Sequence, residues 1–301
     1  MKNIVSVSIG SSSRNHRVET EILGQKLTIE RIGTDGDIKK AIQIIRDLDG
    51  RVDVFGMGGI DIYLYGHNNK RYFLRSAGAI LNAAVKTPIV DGSGLKNTLE
   101  RRVIQFANDE YGIALKNKRV LLVSGVDRFG MAESLESFGA KVTYGDLMFA
   151  LGVQIPIKSL KGLHRVAAIF MPIVGRMPFK MLYPTGEKQN EIIPKYQKYY
   201  YNADIIAGDF IYIKKHIPDD MEGKVIITNT VTPEDLVFLK NRGIKMLITS
   251  TPEFDGRSFG TNVLEAAFLS ITGLGVDEVT PEIYTDLIIR SGFQHRVEIL
   301  N

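Results

Sequence analysis

The sequence contains no cysteine. That excludes disulfides, thiolate nucleophiles and every metal site built on thiolates, and it fits a reducing compartment. The five histidines, His16, His67, His164, His216 and His295, are scattered, with no pair at i, i+4 and no H-E-x-x-H, so nothing supports metal catalysis and no metal is expected. No Y-x-x-x-K occurs, and short-chain dehydrogenase chemistry is not visible. Charge of either sign is scarce in excess: 38 basic and 34 acidic residues leave a net +4. A dedicated nucleic-acid binder should show a clustered basic face, so no nucleic-acid partner is expected, whereas a modest basic bias suits a small anionic metabolite. The longest apolar run, near Val166–Val174, is about half of the roughly 20 residues a spanning helix needs, so no membrane is expected. The N-terminal MKNIVSVSIGSSS is too short and serine-rich for a signal peptide and reads as a first strand. The chain therefore reads as cytoplasmic, and its composition does not exclude a homo-oligomer. Internal repeats and low-complexity tracts are absent.

What is present is a regular alternation of strand and helix signals over 301 residues that are 44% hydrophobic and 24% charged. The central stretch runs from Lys118 to Leu151. Arg119–Ser124 is a short apolar strand stopped by Gly125; Met131–Phe138 has helical spacing; Gly139 ends it, and Lys141–Tyr144 is the next strand. Further strands are expected at Val166–Met171, Asp204–Ala207, Lys224–Thr228 and Lys245–Thr249, and helices at Pro233–Arg242, Val263–Thr272 and Pro281–Arg290. Ahead of this unit, Asn3–Ile9, Lys26–Ile32, Val52–Phe55 and Pro88–Val90 read as strands, Asp37–Leu48 and Leu95–Tyr111 as helices, and Ile62–Tyr65 with Arg71–Leu74 as a hairpin. The expected fold is α/β in two domains, a substrate domain over 1–117 and a doubly wound, mostly parallel Rossmann-like sheet over 118–301.

On such sheets ligands sit beyond the carboxyl ends of the strands. Gly125-Val-Asp-Arg-Phe-Gly130 offers the outer glycines of a dinucleotide fingerprint, with Asp127 in place of the middle one, and Asp146 follows 21 residues after Gly125. A ribose-binding acid stands about 20 residues on. Gly125, Arg128, Gly130, Asp146, Asn229, Thr230, Ser250 and Thr251 are thus candidates for holding NAD or NADP. Asp146 favours NAD, because a carboxylate repels a 2′-phosphate. The competing reading is an ordinary βαβ unit whose glycines serve only its turns. In Asp91-Gly-Ser-Gly-Leu-Lys96-Asn97 an acid and a lysine meet at a helix start, a workable pair for moving a proton at a hydroxyl, with Ser93 and Asn97 beside them. Ser11, Ser13, Arg14 and His16, and the pair Arg257 and Ser258, are candidates for gripping a substrate anion. Gly256-Arg-Ser-Phe-Gly260 also matches G-x-S-x-G, with Asp277 and His295 in hydrolase order. Residues intervene between strand and serine, and too little chain follows for the rest of such a sheet.

The whole chain resembles a bacterial family labelled quinate 5-dehydrogenase, through Arg31-Ile-Gly-Thr-Asp-Gly36, Phe55-Gly-Met-Gly-Gly-Ile-Asp61, Asp91–Arg102 and Ser258-Phe-Gly-Thr-Asn262. The resemblance implies a shikimate/quinate dehydrogenase-like oxidoreductase. In such an enzyme a Lys and an Asp, here Lys96 and Asp91, serve a ring hydroxyl and a nicotinamide cofactor takes the hydride. Its rival from another class is a non-catalytic or regulatory two-domain protein that binds an anionic metabolite.

Overall fold

A computed structural model of the chain describes residues 1–65, 71–176, 192–251, 253–254, 257–258 and 260–301. Two sheets organise it. The first takes strands β1 (Lys2–Ser8), β2 (His16–Ile22), β3 (Gln25–Gly33), β4 (Val54–Gly58) and, after the hairpin β5 (Tyr63–Tyr65) and β6 (Arg71–Phe73), β7 (Ile89–Val90), in the order β2-β3-β1-β4-β7. All its pairings are parallel except β2 with β3. Strand β2 was not among the expected strands. It alternates half-buried with exposed positions, as an edge strand with one wet face does.

Helix α1 (Ile38–Leu48) starts where Asp37 accepts a hydrogen bond from the Lys40 N–H, and it sets Ala41 and Ile45 against Val5, Val7, Phe55 and Met57. A short helix, α2 (Gly78–Leu81), adds Ile80 to that face. The 17-residue helix α3 (Ser93–Asp109) then leaves the first sheet for the second. Leu95 and Leu99 pack with Ile4, Leu27 and Val90, whereas Val103, Ile104 and Ala107, two turns on, pack into the core of the second sheet.

That second sheet is built from β8 (Arg119–Leu122), α4 (Phe129–Ser137), β9 (Lys141–Tyr144), α5 (Asp146–Leu151), α6 (Leu160–Val174), α7 (Gln197–Asn202), β10 (Ile205–Ala207), α8 (Phe210–His216), β11 (Val225–Thr228), α9 (Pro233–Lys240) and β12 (Met246–Thr249). After the ribbon β13 (Glu253–Phe254) and β14 (Arg257–Ser258), helices α10 (Thr261–Thr272) and α11 (Pro281–Arg290) lead to β15 (Val297–Ile299). The order is β15-β12-β11-β10-β8-β9, parallel throughout except for β15. This is a doubly wound, mostly parallel α/β sheet with a flavodoxin-like order, whose direction of winding reverses between β8 and β10. Helices α3, α4 and α6 cover one face; α5, α7, α8 and α9 cover the other.

Two expectations are corrected. Val166–Met171 is not a strand but the middle of α6: a six-residue apolar run has no period that separates a buried strand from a buried helix. A division at 117/118 also fails to describe the packing. Helices α10 and α11 return to the first sheet, where Ala266, Phe268, Tyr284 and Leu287 cover Ile4, Ile29 and Val54, before β15 rejoins the second. The chain passes between the sheets three times, first along α3.

Helices α3 and α4 cross closely at Gly130. A Cβ there would lie 2.5 Å from the Asn97 carbonyl oxygen and 2.6 Å from its Oδ1. Alanine in a helix gains about 1 kcal/mol over glycine in propensity. The overlap is with backbone and cannot relax cheaply, and overpacking costs about 1–3 kcal/mol. Gly130→Ala is therefore expected to lower the urea midpoint; an unchanged or higher midpoint would contradict this contact.

Candidate functional site

The strand ends at the reversal between β8 and β10 meet α3. After β8 the chain runs through Ser124 and Asp127 to Arg128, which precedes α4; after β10 it reaches Asp209, whose side chain accepts from the Ile211 N–H at the start of α8. Helix α3 presents Lys96 and Glu100, one turn apart on one face, to these loops. Lys96 Nζ donates to Asp127 Oδ2 at 3.1 Å, and Ser124 Oγ donates to Asp127 Oδ1 at 3.0 Å. The Arg128 guanidinium, 4% exposed, donates to Glu100 at 2.7 Å and to Asp209 at 2.8 Å, with its Nε 3.9 Å from Asp127. Asn229 Nδ2 donates to the same Asp209 oxygen at 2.9 Å. One buried cation thus links α3 with both loops.

Ionisation follows from this geometry. Burial, the largest single effect, lowers the Lys96 ammonium, but the charges of Asp127, Glu100 and Asp61 together outweigh it and the net shift is upward. Burial raises Asp127, while Lys96 and Arg128 outweigh it and hold it below the usual carboxylate range. Glu100 is raised, first by burial. Lys96 is therefore a charged donor and Asp127 a charged acceptor. Both line a recess with Asp61, Tyr63, Ser93, Asn97, Glu100 and Phe129. Beyond Tyr63, Ser93 and Asn97 a further cavity of about 220 Å³ runs toward Glu265, Asp277 and Tyr284. Together they form a cleft between the second sheet's switch point and the first sheet's helical cover.

Asp91 is not the partner of Lys96. Its Oδ2 accepts from the N–H groups of Ile62 and of Tyr63 (3.0 Å), and its Oδ1 accepts from the Ser93 N–H (2.9 Å) and Oγ–H (2.5 Å). Four donors consume it in tying the loop before β5 to the start of α3. Ser93 and Asn97 do line the cleft. The residue that sequence reasoning missed is Asp127, which stood out only as a poor substitute for a fingerprint glycine.

The expected cofactor residues are engaged within the protein itself. The N–H groups of Gly125 and Val126 both donate to Asp146 Oδ1, at 2.9 and 2.7 Å. Asp146 is nine-tenths buried, and burial pushes its carboxyl up to about 7. It is an internal tie of the turn and presents no carboxylate to a ribose. Gly130 is sealed by Asn97 and the Arg128 fork by two acids. Asn229 accepts from the Phe210 N–H. Thr230 and Thr251 share a hydroxyl–hydroxyl hydrogen bond of 3.2 Å, and the Ser250 carbonyl accepts from His295 Nδ1 at 3.1 Å. As folded, these residues do not fit a dinucleotide diphosphate at this turn.

Ser11, Ser13, Arg14 and His16 lie apart from the cleft lining. Ser11 caps a single turn over Ser12–Arg14, bonds Ser13 Oγ at 2.8 Å and accepts at its carbonyl from Arg31. His16 Nδ1 donates to the Arg14 carbonyl at 3.0 Å. The backbone of Arg257 and Ser258 forms β14, and their side chains lie outside the described residues, as do His67 and Gly256. His295 is half-buried against Phe106, while Asp277 lines the far cavity. Among the described residues no cluster of three or more His, Asp or Glu could hold a metal ion, and no helix is long and apolar enough to cross a membrane.

Glu265, at the cleft's far end, gives a pH test. Its Oε2 accepts from the Gly92 N–H and its Oε1 from the Tyr284 hydroxyl, both at 2.6 Å; burial, then the charge of Asp91, raises it from 4.5 to about 7. The folded chain keeps this proton where the unfolded chain has lost it. Its contribution to stability is therefore full below about 4.5 and fades as pH rises through about 7. Relative to Glu265→Gln, the wild type is expected to gain about 1–3 kcal/mol on going from about pH 8 to pH 5. Urea titrations at both pH values check this, and parallel profiles would contradict it.

No curated protein matches the sequence. Among solved structures, the leucine-bound hetero-hexameric glutamate dehydrogenase of Thermus thermophilus is 12% identical with a TM-score of 0.44, over 97% of this chain and 73% of that one. Ornithine carbamoyltransferase from Pyrococcus furiosus is 12% identical with a TM-score of 0.35, over 93% and 86%. The periplasmic arabinose-transporter component of Shewanella sp. ANA-3 is 10% identical with a TM-score of 0.37, over 97% and 96%. Likenesses this distant carry no argument about chemistry. A family model for residues 3–91 is described as a domain of unknown function, DUF8753. A second, matching residues 94–300 and so most of the chain, places the protein in the family described as a domain of unknown function, DUF8754.

Proposed function

We propose that the chain binds a small hydroxylated metabolite in the cleft between its two sheets, with Lys96 and Asp127 as the pair that meets a ligand hydroxyl. The observation that carries this reading is their 3.1 Å ion pair at the strand-order reversal, facing a recess that Tyr63, Ser93 and Asn97 also line. A hydroxyl inserted there accepts from the ammonium and donates to the carboxylate, and so replaces the pair's mutual hydrogen bond without loss. The same two groups supply a proton donor and a proton acceptor on one oxygen.

A second reading is favoured by that pair and by the resemblance to the quinate 5-dehydrogenase family: an NAD(P)-dependent oxidoreductase acting on a secondary hydroxyl of a polyhydroxy carboxylate such as quinate or shikimate. In it Lys96 and Asp127, rather than Lys96 and Asp91, serve the hydroxyl. The turn after β8 does not fit the diphosphate of such a cofactor. A regulatory protein binding an anionic metabolite uses the same cleft without turnover. Calorimetry with quinate and shikimate, each alone and with NAD or NADP, tests these readings together. Saturable heat with either acid supports the cleft. Heat only in the presence of a nucleotide supports the oxidoreductase. Silence with both acids in a folded sample removes this substrate class.

A further inference from the structure

We propose that the turn between β8 and α4 is an anion-binding nest which the chain fills with its own Asp146 carboxylate, so that no ligand phosphate is held there. The inference is independent of which metabolite occupies the cleft. A diphosphate seat at the end of a first strand needs free N–H groups, room for close approach, and a countercharge. All three exist here, and each is taken from within. The two N–H groups, of Gly125 and Val126, converge on one oxygen of Asp146. The turn is closed by the Arg128 N–H donating to the Gly125 carbonyl at 3.0 Å. The space beside the glycines is filled: a Cβ on Gly125 would lie 2.9 Å from the Tyr144 ring and 3.0 Å from Leu163 Cδ2, and one on Gly130 would strike the Asn97 carbonyl. The countercharge, Arg128, is committed to Glu100 and Asp209.

Asp146 itself is placed as a bound anion would be. It is the first residue of α5, follows Gly145, and is 9% exposed; its second oxygen, Oδ2, is buried with no hydrogen-bond partner. A ligand phosphate would have to expel this carboxylate and then sit beside it and beside Asp127. The spacing of 21 residues from Gly125, which in sequence imitates a ribose-binding acid, here measures the reach from the turn to its internal anion.

The test uses the full-length chain. Native-state hydrogen exchange should find the Gly125 and Val126 amides protected by about 100-fold or more. Calorimetry with inorganic pyrophosphate, NAD and NADP should leave that protection unchanged. Asp146→Gly should release both amides and bind pyrophosphate at least about tenfold more tightly than the wild type. Asp146→Asn, which keeps an oxygen on the two N–H groups, should behave as the wild type. Freely exchanging amides in the wild type would overturn the proposal. So would pyrophosphate or NAD that binds the wild type and alters them, or a folded Asp146→Gly protein that gains no pyrophosphate affinity. If that variant does not fold, the wild-type amides and titrations decide. Failure of quinate or shikimate to bind reads the Lys96 recess and leaves this outcome untouched.

Discussion

Arg128→Met is expected to cost about 3–5 kcal/mol of folding stability, the loss that follows when one partner of a buried ion pair is removed. The Arg128 and Glu100 side chains are 4% and 2% exposed and 2.7 Å apart, so the variant leaves a carboxylate in the core without its cation. Asp209 loses the same partner but keeps Asn229. Glu100 has a way to limit the damage. Burial already raises its pKa, and without Arg128 it should rise further, so the variant recovers stability as pH falls and the carboxyl takes up a proton. A second substitution should do the same at constant pH. In Arg128→Met/Glu100→Leu no buried charge is stranded, and the double variant should regain more than half of the loss, giving a large coupling energy between two contacting positions. Urea denaturation of the four proteins measures this. An Arg128→Met loss under about 1 kcal/mol, or additive effects in the double variant, would mean that the pair is solvated and that α3 is not locked to the switch point through it.

Lys96→Met should have the opposite profile: little effect on folding and a large one on the ligand. Lys96 and Asp127 keep 20% and 33% of their side-chain surface exposed, and a pair open to solvent to this degree contributes at most about 1 kcal/mol. In the cleft, however, Lys96 is the cation that touches the recess, since Arg128 is already shared between two acids. Loss of a positioned proton donor costs about 100-fold or more in a proton-transfer step. The expected result is a near-normal urea midpoint with ligand affinity or turnover reduced by that order. Asp127→Asn should fall in the same class. Lys96→Met with unchanged ligand affinity would place the ligand elsewhere.

Much of the fold was legible in the sequence, and particular residues show why. Strand and helix signals from Arg119 to Tyr144 are local: an apolar run, helical spacing, then Gly139, which takes a positive φ of 77° to end the helix. Helix α11 is framed by Thr280 as its cap and Pro281 at its first position, and it begins and ends where the periodicity places it. Which sheet a helix covers is not local. Phe268 and Tyr284 have the same apolar character whether they face the first sheet or the second, and their return to the first is fixed by tertiary fit. The site divides in the same way. Lys96, Ser93 and Asn97 stand close in sequence on one helix and were visible as a group. The partner of Lys96, Asp127, lies 31 residues away across a domain passage. Asp146 stands at a spacing that a ribose acid and an internal anion share, and only the direction of the Gly125 and Val126 N–H groups separates the two.

A ligand in the cleft should meet the protein first at the Lys96–Asp127 pair. The most direct measurement is the resonance of the Lys96 ammonium, in chain carrying nitrogen-labelled lysine, during titration with quinate and with shikimate. The Lys96 signal, identified by its absence in Lys96→Met, is expected to shift and saturate with the calorimetric binding curve while those of surface lysines do not. A ligand that binds by calorimetry and leaves the Lys96 signal unmoved would contradict this.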